Sequence, residues 1–363
     1  MSHTVSCGRL AVTRLYDLAY EVDVDRVERE LRESSSRPRF TRARPKAVFY
    51  GRPPVDLALG RTMLRLASGA VEAEVSARIF DFGAARLSYE VPVASMSWDA
   101  YVALANALEE PLESPAPWEA DISRVRDLVR GAMSRPTEHD LEVDYLYATV
   151  QRLDPPLRGA EILEKLDLVP LLTGDTQPLS PSARQDVLRW ALSYYEDDLV
   201  VLGWSRALIV EPGGEADIAD IIGTAHAQVL ELRYYDERLD AELPLMYDRV
   251  EEARDAFRGL ARRRYAALAR SLHALLAEVT EVSERIDKAL VVTEDVYLAT
   301  VYQAALEQHR ARGWGVAVDR KLAIIRDTYT ALYDEATSAR AEYLELAIVL
   351  LIVIEILLAF VIG

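Results

Sequence analysis

The chain has 363 residues, of which 50% are hydrophobic, so it can bury a sizeable core and lies outside the disordered class. Its net charge of −17 argues against direct nucleic-acid binding, which depends on Lys and Arg neutralising phosphates. The single cysteine, Cys7, excludes an internal disulfide and cysteine-rich zinc sites.

Residues 1–212 read as an α+β domain, with short alternating elements and frequent Pro and Gly. The first residues show no apolar run behind a charge, so no signal peptide is expected. The stretch Arg32–Lys46 carries six basic residues and one acid. It reads as a solvated linker, with contact to lipid headgroups or an acidic partner as the alternative. Ala47–Tyr50 is an apolar run closed by Gly51. Val71–Phe80 and Ala84–Val91 flank Asp81-Phe82-Gly83, which predicts a hairpin. Ser97 is placed to cap an amphipathic helix through Glu110, and Trp118–Ser134 predicts a second helix. Leu141–Val150 alternates like a strand, and Ser182–Tyr194 has helical spacing. Asp198–Leu202 and Ala207–Val210 predict another hairpin around Gly203-Trp204.

Residues 213–343 read as a helical stalk. Ala225, Val229, Leu232, Asp236, Leu239, Leu243 and Met246 recur mostly at 4,3 spacing, and Pro244 marks an expected break or kink. Tyr265, Leu268, Leu272, Leu275, Val279, Val282 and Ile286 form a second seam, and Gly313-Trp314-Gly315 interrupts the pattern. From Val318 through Leu322, Ile325, Tyr329 and onward to Phe360 the 4,3 alternation never slips. Such a seam predicts coiled-coil packing and a homo-oligomer.

The last twenty residues, 344–363, contain fifteen Leu, Ile, Val or Phe and two charges, Glu345 and Glu355. At about 1.5 Å per residue they would match a hydrocarbon core of roughly 30 Å. The apolar side chains outweigh one central carboxylate on an insertion scale, so a C-terminal transmembrane anchor is expected. Glu355 would then sit near the bilayer midplane and meet a polar group of another helix. The excess of Arg over four Lys fits a GC-rich bacterial genome, which places the expected anchor in a bacterial cytoplasmic membrane with the large domain in the cytoplasm.

Recognisable chemistry is sparse. The histidines at 3, 139, 226, 273 and 309 have no pair at helical spacing, so a His-based metal site would need distant elements to converge. No nucleotide-binding glycine loop occurs, and no cofactor is expected. Gly203-Trp204-Ser205-Arg206-Ala207 approaches a hydrolase nucleophile elbow, but a strand follows where that motif needs a helix. Asp236 falls on an apolar seam, where an ionised carboxylate must be paired. One reading is a divalent-metal site from Glu231, Asp236 and Asp240. The other is a structural network in which Arg233, or a Tyr from another helix, holds Asp236.

Three segments carry a resemblance: Asp197–Val210, Gln228–Asp240 with its Arg233-Tyr-Tyr-Asp236 run, and the Glu-containing apolar terminus from Tyr343. With Ile79-Phe-Asp-Phe-Gly83, their order resembles the required-for-meiotic-nuclear-division family. That resemblance implies a membrane-anchored protein without established catalytic residues; mitochondrial members are linked to organellar translation and ribosome tethering. This chain differs in lacking a transit peptide and in its acidic charge. The function expected is a tail-anchored, self-associating scaffold with the lipid bilayer and a cytoplasmic protein as partners. The alternative is a metal-dependent membrane-anchored enzyme or effector using the carboxylates around Asp236.

Overall fold

The computed structural model describes residues 3–31, 35–36, 49–50, 52–137, 141–214, 217–255, 267–277, 279–281, 290–291 and 295–362. Side chains are described within these spans except at 35–36, 49–50, 111–112, 253–255, 290–291, 332–347 and 355–362. The chain divides into an α+β unit, Met1–Leu232 with Arg285–Arg312, and a helical unit, Arg233–Glu284 with Gly313–Gly363.

In chain order the α+β unit opens with β1 (Thr4–Asp17), β2 (Ala19–Val22), α1 (Val24–Glu30), β3 (Ser35–Ser36) and β4 (Phe49–Tyr50). Three long strands follow, β5 (Val55–Leu66), β6 (Gly69–Ile79) and β7 (Ala84–Ser97), then helices α2 (Trp98–Glu113) and α3 (Pro115–Val129). Next come β8 (Met133–Pro136), β9 (Glu142–Asp154), α4 (Gly159–Lys165), α5 (Val169–Thr173) and α6 (Pro181–Val187). Strands β10 (Trp190–Leu192), β11 (Leu199–Leu202) and β12 (Arg206–Val210) precede α7 (Asp217–Asp255), whose last part belongs to the helical unit. The chain continues through β13 (Leu290–Val291) and α8 (Val296–Gln308) to α9 (Ala311–Ile362).

Nine strands form one sheet in the order β10-β11-β12-β9-β1-β7-β6-β5-β3. All its pairings are antiparallel except β12 with β9. Period-two alternation sends side chains to two different cores. On β9, Leu146, Ala148 and Val150 join a core with Trp98 and Tyr101 of α2 and Trp118 of α3. Tyr145 and Tyr147 point the other way, toward Ile218, Ile222 and Ala225 of α7 and Leu298 and Val301 of α8. Strands β11 and β12 alternate in the same sense, with Val201 and Leu208 on the first face and Val200 and Ile209 on the second. The β6–β7 turn needs Gly83, which has φ 102° and leaves only 1.6 Å between an added Cβ and the Ala19 carbonyl oxygen.

In the helical unit, Leu239 and Met246 of α7, Leu268, Leu272, Leu275 and Val279, and Val318 and Ile325 of α9 are buried. Pro244 does not end α7, which runs through it to Asp255. Gly313 and Gly315 likewise lie inside α9, which starts earlier than their breaker character suggests.

An α+β domain with several long helices is thus present, and two parts of the expected architecture are corrected. Among the described residues, no helix is long and apolar enough to cross a membrane. This overturns the transmembrane helix at 344–363, the lipid-bilayer partner, the tail-anchored scaffold and the single-pass inner-membrane location. The coiled-coil seam is not established either. Val318 and Ile325 are buried, but Leu350 and Val353 at the same spacing are 56% and 48% exposed. The homo-oligomer and the cytoplasmic protein partner rested on those two features and have no support here. The basic stretch Arg32–Lys46 lies outside the described residues apart from its backbone at 35–36, as do His139 and the side chain of Glu355.

Candidate functional site

The α+β unit contains a cleft of about 440 Å³, within the roughly 300–1,000 Å³ of small-ligand sites. It forms because several short segments are tied to the first turn of α2. Ser97 caps that helix, its hydroxyl accepting from Ala100 N at 3.3 Å. The Trp98 amide donates to His3 O at 2.8 Å, which fixes the start of β1 against the helix. The Trp98 indole donates to Asp167 O at 3.3 Å and brings in the α4–α5 connection. Asp167 is itself oriented: its Oδ1 accepts from Arg184 Nη1 at 2.9 Å and Val169 N at 3.4 Å.

The wall that results mixes three chemistries. Lys165 and His3 supply nitrogen donors, Asp99 and Asp167 supply carboxylates, and Val102, Ala103, Leu166 and Pro170 form an apolar strip. Ser97, Asn106 and Thr176 add neutral polar groups. Lys165 Nζ donates to Glu161 at 2.6 Å, which holds the ammonium on the last turn of α4. That hydrogen bond, joined by one from Arg158 N, lowers the Glu161 carboxyl below its usual range. His3 Nδ1 has no hydrogen-bond partner among the described residues.

Arg206 braces the side of this cleft from β12. It is 3% exposed and donates to Glu109 through Nε at 2.9 Å and to Leu171 O at 3.0 Å. A further bond to Asn106 Oδ1 reaches a residue of the cleft wall. The guanidinium also explains Gly174, where φ is 72° and an added Cβ would lie 2.5 Å from Arg206 Nη2. The elbow-like sequence around Ser205 is therefore a two-residue hairpin: Gly203 N donates to Arg206 O at 2.8 Å, and strand follows strand. From that motif it is Arg206, not Ser205, that reaches the cleft wall, through Asn106.

The carboxylates singled out in the sequence have another fate. Asp236 is 7% exposed, and its Oδ1 accepts from Lys321 Nζ at 2.7 Å. The same ammonium lies 2.7 Å from Asp240 Oδ2. Burial works to lower the Lys321 pKa, but the bonds to Asp236 and Asp240 outweigh it and leave it raised. Arg233 instead places its guanidinium over the Trp314 ring at 6.0 Å. Glu231 is buried five residues before Asp236, about 140° around the helix, so the three acids do not converge. Among the described residues no group of three or more His, Cys, Asp or Glu side chains could hold a metal ion. The metal-dependent alternative is thereby corrected: a lysine ammonium fills the position a cation would take.

Composition and spacing alone miss the cleft, since its residues come from separate segments between His3 and Thr176. They also miss a convergence of histidines, because His226 of α7 and His309 after α8 meet at a ring separation of 4.5 Å.

No solved structure matches the chain. A protein of Methanocaldococcus jannaschii, described as uncharacterized protein MJ0711, is 26% identical over 220 residues. The aligned region is 60% of this chain and spans 66% of the relative's length. The family model described as "Uncharacterized protein MJ0711, N-terminal domain" matches residues 7–217, which hold most of the sheet and all the cleft residues except His3. The resemblance to the required-for-meiotic-nuclear-division family is overturned by this match. It drew on Gln228–Asp240 and the apolar terminus from Tyr343, both beyond the matched region, and on Asp197–Val210 and Ile79–Gly83, short strand-and-turn runs that many sheets share. With more than half of its residues matched, the chain belongs to the family of the MJ0711 N-terminal domain.

Proposed function

We propose that residues 1–212 form a ligand-binding domain whose cleft takes a small zwitterion of the amino-acid type. The observation that carries this reading is one cleft lined by a cation, two carboxylates and an apolar strip. A ligand carboxylate would meet Lys165, whose ammonium has three N–H donors and gives one to Glu161. Its ammonium would meet Asp99 and Asp167, and its side chain would lie along Val102, Leu166 and Pro170. We further read Asp236, Asp240 and Lys321, with Arg233 nearby, as a structural network of the helical stalk at 213–343.

Titration calorimetry and thermal shift on the full chain test the binding reading, using amino acids beside matched monocarboxylates and monoamines. Zwitterions should bind and raise the melting temperature, while the single-charge analogues do so at least tenfold more weakly. Lys165→Met and Asp99→Asn should each lose the preference with little change in stability. Equal or absent responses across the panel would overturn the assignment.

A further inference from the structure

The second face of the sheet carries a different arrangement. His226 on α7 and His309 at the C-cap of α8 meet edge to face, with planes at 75°. They are 1% and 9% exposed. Among the described residues, the following groups around the pair bear on its charge. From β9, the Tyr147 hydroxyl lies 3.3 Å from His226 Nδ1, and the Tyr145 ring lies 4.1 Å from His226 and 5.9 Å from His309. From β7, Arg86 lies over the Tyr147 ring at 5.9 Å. From α7 itself comes Asp220, but it is engaged by Arg86 and by Arg78 of β6. The β11–β12 turn adds Trp204, which is 61% exposed with its ring 5.4 Å from His309.

This surrounding tolerates a neutral His226 imidazole and opposes a charged one. Burial drives the His226 pKa well below its usual range, and His309 and Arg86 add repulsion. Burial also holds Tyr145 and Tyr147 neutral, the latter pushed up to about 12, so neither offers a counter-charge. The chain beyond His309 is strained as well. Arg310 adopts φ 54°, a left-handed conformation that L side chains disfavour.

We infer that the His226–His309 contact is an acid-released latch: closed while the His226 ring is neutral, it frees the C-terminal turn of α8 from the β11–β12 turn when His226 takes up a proton. The sign follows from linkage. In the opened form His226 is hydrated and titrates near its ordinary value of about 6.5, whereas the closed form resists its protonation. The closed form is therefore favoured above about pH 6.5 and loses ground below it, by up to tenfold per pH unit for each proton taken up.

Hydrogen exchange between pH 7.5 and 5, corrected for intrinsic rates, reads this opening directly. Amides at the end of α8 and in the 203–206 turn should lose protection below about pH 6.5, while β1 amides keep theirs. Trp204 emission should change over the same range. His226→Gln keeps a neutral hydrogen-bonding side chain and should remove up to tenfold per pH unit from that dependence. Should that variant fail to fold, NMR titration of the His226 ring in the native chain should give a midpoint below the ordinary histidine value, and one at or above it would overturn the latch. Protection that is flat with pH in the native chain, or an unaltered pH slope in a folded glutamine variant, would overturn the latch.

Discussion

The α+β unit and the helical unit accommodate buried charge by different means. In the sheet the pairs are written by strand register. Arg14 on β1 stands directly across from Asp144 on β9 and donates to it twice, at 2.6 and 2.7 Å. Arg78 on β6 stands across from Asp56 on β5 with the same fork, at 2.6 and 2.9 Å. In the helical unit, one flexible ammonium, Lys321, bridges Asp236 and Asp240. A planar guanidinium matched to a carboxylate admits one geometry; a lysine can shift between acids and keep one of them. The sheet unit should consequently be brittle at its buried arginines, and the helical unit forgiving at its buried acid.

The largest effect is expected at Arg206. Arg206→Met leaves Glu109, Asn106 and the Leu171 carbonyl without their shared donor inside the wall of the cleft. Arg206 is buried while the Glu109 side chain is 36% exposed, so about 3 kcal/mol should be lost in urea unfolding, the low end for breaking a buried pair. Arg206→Lys should recover only part of it, because a point charge cannot serve three acceptors set in a plane. A loss below about 1 kcal/mol for the Met variant would remove the contrast between the units.

How much of this could be read in advance depended on how local each signal was. The β6–β7 and β11–β12 hairpins are legible because Gly83 and Gly203 punctuate neighbouring apolar or alternating runs. β1 escaped notice because its residues are buried on both faces, which erases the period-two pattern, and Cys7-Gly8 interrupts it further. Ser182–Tyr194 had helical spacing, yet Trp190–Leu192 pairs with β11, a tertiary contact overriding local preference. The burial of Asp236 was legible from its place on an apolar seam. Its partner was not, for Lys321 lies 85 residues away whereas Arg233 sits on the same turn. The apolar terminus invited a membrane reading through composition alone. The cleft and the histidine pair are products of long-range convergence, which spacing cannot report.

Next in size is Lys321→Met, which strands two carboxylates, one of them buried. About 2–3 kcal/mol should be lost, less than at Arg206 because Asp240 is 62% exposed and can be hydrated. Asp236→Ala should cost less again, about 1–2 kcal/mol, since Lys321 keeps Asp240. The order of these two values is the test of a forgiving bridge; the reverse order would mean Asp236 has a second partner of greater weight. Alkaline pH offers an independent check. Lys321 holds its proton more tightly when folded, so its contribution is complete below the ordinary lysine value and fades as pH rises through the raised folded one. Urea midpoints of the native chain and Lys321→Met should converge as the pH approaches and passes that point.

The smallest effect on stability belongs to Glu161, and it bears on the cleft rather than on the fold. Its carboxylate accepts from Lys165 and caps α4 through Arg158 N, but the contact is solvated and screened by salt. Glu161→Gln should leave the unfolding midpoint within error at neutral pH. The lowered carboxyl pKa makes its small contribution present above the ordinary glutamate value and lost as pH falls through the folded one, so wild type and variant should coincide in acid. Binding should respond in the opposite direction. Removing the competing carboxylate frees an N–H of Lys165 and deletes a negative charge beside the proposed carboxylate position. Zwitterion affinity should therefore tighten by about threefold at low salt, and the gain should shrink as salt rises. Weaker binding by Glu161→Gln would mean that Glu161 holds Lys165 in its competent position, and that the ligand contacts an ammonium already oriented by the helix.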